Sequence, residues 1–175
     1  MLQKAQSHLV LGFPGARVTD EWKRPLEVLS TLLSGQSGRL FLELRDKQSL
    51  CYSVSSMTLE GVDPGYFAVY IGTSPEKVDQ ALAGIRLELS KVRDAKVSVA
   101  ELDRAQQHLM GVHEVGLQRN GARAGVMALD SAYGLGADRY LRYAEEIQAV
   151  TPEQVLAVAA RVIDFEKSAL VVVGP

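Results

Sequence analysis

Arg45 and Tyr52 are the two residues whose types and spacing could grip another chain rather than simply pack within this one. A guanidinium offers a planar fork of donors and a phenol offers one donor and an acceptor, so held together they match the carbonyl oxygens or the carboxylate of an extended peptide. Both lie in the stretch 35–56, GQSGRLFLELRDKQSLCYSVSS. Leu40, Phe41 and Leu44 fall on one side of a helix there, and Arg45 stands at its C-terminal end, where a cation complements the helix macrodipole. Residues 46–49 then turn the chain, and a strand beginning near Leu50 returns Tyr52 beside Arg45. On these residues alone two plainer readings stay open: Arg45 as a solvated helix end, and Tyr52 as the edge of a core.

The elements that must position this pair follow from periodicity. Residues 5–13 alternate as a strand, with Ser7, Leu9, Leu11 and Phe13 on one face. Asp20 is placed to cap a helix over residues 21–34 that turns Leu26, Leu29 and Leu33 inward, with Pro25 in its first turns and Gly35 at its end. The strand carrying Tyr52 continues through Val54, Asp63-Pro64-Gly65 signals a turn, and YFAVYIG from Tyr66 to Gly72 reads as the antiparallel partner.

Three capping-box patterns follow: Thr73 with Glu76, Ser98 with Glu101, and Thr151 with Gln154. The first opens a helix to about Val92 with Val78, Leu82, Ile85 and Leu89 inward. The second carries Leu102, Ala105, Leu109 and Val112 inward, and the third Val155, Val158 and Val162. Residues 120–133 and 138–148 also read as helical, separated by Gly134 and Gly136. The closing run SALVVV, residues 168–173, has the continuous apolar character of a fully buried strand.

Strands and helices are segregated instead of strictly alternating, which predicts an α+β two-layer sandwich, a mainly antiparallel sheet with helices packed on one face. Residues 1–175 read as one domain: 47% of them are hydrophobic, enough for a proper core, and no linker marks a boundary. The formal net charge of −2, from 19 basic and 21 acidic residues without a basic cluster, gives no reason to expect a nucleic acid or anionic membrane partner. The polar start, Gln3 to His8, is unlike a signal peptide, and no apolar run spans a bilayer, so the chain as given reads as soluble. Cys51, the single cysteine, excludes an internal disulfide and reads as a small buried apolar residue pointing away from Tyr52.

A zinc peptidase helix of the H-x-x-E-H kind needs two imidazoles four positions apart. The histidines here are His8, His108 and His113, and the five-residue step between the last two turns a helix by about 500°, which separates their faces. No phosphate-binding glycine loop or nucleophile elbow is present either. No metal site is therefore expected in this chain, and the polypeptide alone is not expected to hydrolyse peptides.

The run LFLELRDKQSLCYSVSS resembles the signature of the C-terminal half of the pitrilysin/insulinase family of zinc peptidases, which includes the mitochondrial processing peptidases. The similarity extends from KAQSHLVLGFPG through GVDPGYFAVYIGTSPEKV to YAEEIQAVTPEQVLAVAARVI and ALVVVGP. It implies the same α+β half-domain, with Arg45 and Tyr52 as substrate-binding residues that contact peptide backbone. It also implies a partner, an N-terminal half on the same chain or a separate subunit, that carries H-x-x-E-H and the zinc. On that view, a domain-like segment directly after Met1 points to a fragment or a separate subunit. Two alternatives stand beside this one: a structural or assembly homologue without chemistry, and a peptide-binding module that uses a sheet edge for strand addition.

Overall fold

The computed structural model describes residues 6–175. Alternation of apolar residues shapes strand β1, Ser7–Pro14, whose Ser7, Leu9, Leu11 and Phe13 are buried while Val10 and Pro14 are exposed. The strand start expected at Ala5 lies outside the described residues. β2, Cys51–Leu59, and β3, Tyr66–Thr73, form the expected hairpin, and β4, Ala169–Val173, closes the sheet in the order β2-β3-β1-β4. All three pairings are antiparallel.

Helices cover the face that carries Leu9, Leu11, Val69 and Ile71. The helices are α1 (Lys23–Leu33), α2 (Val78–Asp94), α3 (Val99–Gly116), α4 (Asn120–Ala132), α5 (Tyr143–Gln148) and α6 (Pro152–Val162), and α4 alone contributes nothing to the core. The molecule is thus the α+β two-layer arrangement read from the segregation of elements. Leu26, Leu29 and Leu33 of α1 are fully buried, as are Ile85 and Leu89 of α2 and Val155 of α6. Burial of each such side chain contributes on the order of 1.5–3 kcal/mol.

Several local expectations are corrected. Asp20 does not cap α1, which begins at Lys23; its carboxylate instead accepts the Arg17 N–H at 2.9 Å, closing the turn before the helix. The Thr73 capping box is not formed. Thr73 is the last residue of β3, its hydroxyl donates to the Leu50 carbonyl at 2.6 Å, and a short 3₁₀ turn, Pro75–Lys77, precedes α2. Strand pairing has taken the residue that local pattern assigned to the helix. Val112 is exposed, although Leu109 and Met110 still pack half-buried against the core, and α4 buries no residue at all.

The closing strand is the largest departure. β4 lies at the sheet edge and all five of its residues are exposed, although its composition is that of a central buried strand. The stretch 139–148 divides into a 3₁₀ turn, Arg139–Arg142, and α5.

Two of the three capping boxes form as expected. Ser98 and Thr151 each accept the N–H of the residue three positions on, and Glu101 and Gln154 reach back to the cap N–H groups. Glu101 does more: Arg39 donates to it through Nε at 2.8 Å and Nη2 at 3.1 Å, tying the start of the Arg45-bearing helix to the start of α3. This fork holds the Glu101 carboxyl at about 2, well below its ordinary 4.5.

A depressed carboxyl stabilises the fold above its ordinary value and ceases to do so as pH falls through the folded one. The thermal stability advantage of the wild type over Glu101→Gln is accordingly expected to be full above pH 4.5 and to shrink between 4.5 and about 2. Melting curves collected across that window check this, and an advantage that does not change with pH would contradict it.

Candidate functional site

The helix that carries Arg45 is not an α-helix. Phe41–Lys47 forms a π-helix, whose i→i+5 hydrogen bonds widen the turn to roughly four and a half residues, so that residues four apart stand nearly above one another. Leu40 and Leu44 are fully buried beneath it. Leu44 fits over Gly84 of α2, where a Cβ would lie 2.5 Å from Leu44 Cδ2; the missing side chain at Gly84 is the seat of this helix.

The helix ends abruptly. Ser49 adopts the left-handed conformation with φ 50°, its N–H donates to the Arg45 carbonyl at 3.0 Å, and the Leu50 N–H returns to the Leu44 carbonyl at 2.8 Å. Leu50 is buried directly after the turn, and Lys77 Nζ donates to the Ser49 carbonyl at 3.1 Å. The break between Arg45 and Tyr52 is therefore tied down at several points.

Tyr52 owes its position to a β-bulge. The register of β2 against β3 passes from Cys51↔Thr73 to Ser53↔Gly72, leaving Tyr52 as the extra residue. Bulges redirect side chains at sheet edges, and the Tyr52 ring is 77% exposed. Arg45 Cζ lies 4.9 Å from the Tyr52 ring centroid and 4.6 Å from that of Phe41, so the guanidinium is flanked by two aromatic rings. Cation–π contacts of this kind contribute on the order of 0.5–1 kcal/mol each at exposed sites.

The structure thus brings Arg45 and Tyr52 together. Among the described residues Arg45 forms no salt bridge and its side chain makes no hydrogen bond, so its donor fork is uncommitted. Phe41 is the member of the site that sequence reading left in the core; its place four residues before Arg45 on the same helix was the available signal. The bulge at Tyr52 had no such signal. Cys51 is half-buried rather than buried, packed against the core beside Arg45. Burial pushes its thiol up despite the pull of the Arg45 charge, which leaves it a poor nucleophile.

Zinc does not fit the side chains present. Among the described residues no group of three or more His, Cys, Asp or Glu stands close enough to hold a metal ion. His8 Nδ1 is 2.9 Å from the Tyr70 hydroxyl, His113 Nε2 donates to the Tyr140 carbonyl at 3.0 Å, and His108 faces a separate cleft near the start of α3. Among the described residues no helix is long and apolar enough to cross a membrane.

The replacement Ser49→Gly removes the left-handed penalty of an L residue and is expected to raise stability by about 1 kcal/mol, while Ser49→Val lowers it. Urea unfolding of the two variants decides the matter: a midpoint for the glycine variant at or below that of the wild type would show that Ser49 is not held against its preference.

Comparison with known proteins agrees with this picture. The family described as the peptidase M16 inactive domain matches residues 1–109. A Streptomyces coelicolor protein named as an uncharacterized zinc protease is 39% identical over 174 residues, covering 97% of this chain and 37% of its own length. A Bacillus subtilis protein of the same description is 29% identical, covering 97% of this chain and 42% of its own. The chain therefore spans about two fifths of the length of these relatives. Among solved structures, the peptidase M16 inactive domain from Pseudomonas fluorescens superposes with a TM-score of 0.89 at 23% identity over 99% of this chain and 42% of that one. A protease from Helicobacter pylori gives 0.83 at 21%, over 98% of this chain and 42% of that one. With its sequence matched over more than half its length and its fold shared throughout, the chain belongs to the peptidase M16 inactive-domain family.

Proposed function

We propose that this domain is the substrate-positioning, non-metal half of a zinc metalloendopeptidase, and that Arg45 and Tyr52 hold the backbone of the peptide to be cut. The observation that carries the reading is the uncommitted Arg45 fork flanked by Phe41 and an exposed Tyr52 ring. The rings restrict where the guanidinium can swing while leaving its N–H groups free to donate, and Tyr52 adds a hydroxyl beside them. Two donors fixed in this way would fix the register of an extended peptide against a catalytic group brought by another half. Positioning of that kind can change rates by orders of magnitude without contact with the metal.

The zinc and the H-x-x-E-H helix belong, on this reading, to an N-terminal half supplied by the same longer polypeptide or by a separate subunit. The names of the relatives, zinc proteases more than twice as long as the segment matched here, support that division. Plain strand addition along β2 is less well served. Ser34 Oγ accepts the Ser56 N–H at 2.6 Å and donates to the Ser56 carbonyl at 2.9 Å, so the backbone groups at the middle of that outer edge already have a partner.

Cleavage of a fluorogenic peptide is expected only when this chain is combined with a polypeptide that carries the H-x-x-E-H helix. In that assembly Arg45→Ala should lower kcat/KM by roughly 10–100-fold, the loss of a charged hydrogen bond to substrate, and Tyr52→Phe by several-fold. Thermal stability should fall by no more than about 1–2 kcal/mol in Arg45→Ala, the loss of its two ring contacts, and stay close to wild type in Tyr52→Phe, which keeps the ring. Undiminished turnover by the Arg45→Ala, Tyr52→Ala double variant would remove the assigned roles.

A further inference from the structure

A second polar site lies farther along β2, beside Ser56. A cleft of about 650 Å³ opens between the C-terminal end of α1, the loop that follows it, and the first turns of α3. Its volume falls within the range that accommodates a small ligand or a few residues of peptide. Arg104 and His108 both line it; they are four residues apart on α3, which places them on one helix face about 6 Å apart along the axis. Opposite them stand Gln36 and Ser37, in the loop that Gly35 opens with its φ of 76°.

The charged groups that line this cleft are unequally engaged. Its single carboxylate, Glu101, is taken up by the Arg39 fork and by the Ser98 cap. Ser34 and Ser56 bond each other and the adjoining backbone. Among the described residues, Arg104, His108, Gln36 and Ser37 have no side-chain hydrogen bond or salt bridge. Arg104, His108, Gln36 and Ser37 therefore line a space whose one carboxylate is already engaged by Arg39 and Ser98.

A cleft of about 400 Å³ elsewhere on the domain shows the opposite arrangement. Arg24 and Arg139 there are engaged by Glu146, and Arg24 also by Glu27. Those two arginines have carboxylate partners, whereas Arg104 has none among the described residues.

We infer that the cleft formed by Arg104, His108, Gln36 and Ser37 binds a carboxylate of a peptide. The guanidinium fork matches the two carboxylate oxygens, and the imidazole and the amide donate from flanking positions. Ser56, which also lines the cleft, lies on the same strand as Tyr52 and four residues from it, about 13 Å at the rise of a strand. Insofar as the ligand is a peptide, the inference rests on the reading of Arg45 and Tyr52 given above; the cleft would then anchor the same peptide a few residues from the bond that they position.

The test is calorimetric titration of this chain with acetyl-tetra-alanine as the free acid, as its C-terminal amide, and as an amide with glutamate in the last position. The free acid is expected to bind at least about tenfold more tightly than the simple amide, the difference one charge-assisted contact makes. Recovery of affinity by the glutamate amide assigns the site to side-chain carboxylates, and its failure to do so assigns the site to the chain terminus. Arg104→Gln and His108→Asn should each weaken the acid several-fold with circular dichroism unchanged, since both residues are exposed. The Arg45 and Tyr52 roles are read separately, from turnover of the assembled peptidase, so a loss of acid preference here leaves them standing and a loss of their effect there leaves this cleft standing. Equal binding of acid and amide, no binding of the acid at about 10 mM, or wild-type affinity in Arg104→Gln would each overturn the inference.

Discussion

The seating of Leu44 on Gly84 is the contact on which the rest of the site depends. A single absent side chain on α2 lets the π-helix approach closely enough to bury Leu40 and Leu44 completely. With that side of the helix held, Phe41 packs half-buried against the core and offers its ring to Arg45. The buried Leu50 secures the other end, so the chain cannot relax its tight left-handed turn at Ser49 without exposing apolar surface. The geometry of a polar pair at the surface is thus set by apolar packing beneath it.

Polar contacts then fix the surroundings. The Arg39–Glu101 fork joins the helix start to α3, and the hydroxyls of Ser30, Ser34 and Ser56 join α1 to the edge of the sheet. Each closes a donor or acceptor that would otherwise be buried without a partner. Two grips of different kinds flank this framework: an arginine between aromatic rings, and a cleft whose arginine and histidine make no salt bridge or side-chain hydrogen bond among the described residues. Their common strand, β2, is what would allow one extended ligand to reach both.

Much of this was legible in the sequence, and the residues that were not share a cause. The inward faces of β1, α1 and α6 follow from spacing alone, and so do the capping boxes at Ser98 and Thr151, because neighbours along the chain decide them. The juxtaposition of Arg45 and Tyr52 was also readable, through a short break between two clearly patterned elements. Thr73 was misassigned because a tertiary partner, the Leu50 carbonyl, outcompeted the local cap. The π-helical turn, the bulge at Tyr52 and the exposure of β4 depend on packing between distant segments, which periodicity does not register. β4 in particular has the composition of a buried strand, and composition does not record which edge of a sheet a strand will take.

The most direct measurement of the central claim is a crystal structure of this domain joined to its catalytic half with an uncleaved peptide bound. The account predicts the Arg45 guanidinium and the Tyr52 hydroxyl each within about 2.7–3.2 Å of backbone oxygens of that peptide, with Phe41 still stacked on Arg45. A peptide bound in a productive pose but out of reach of both residues would contradict it.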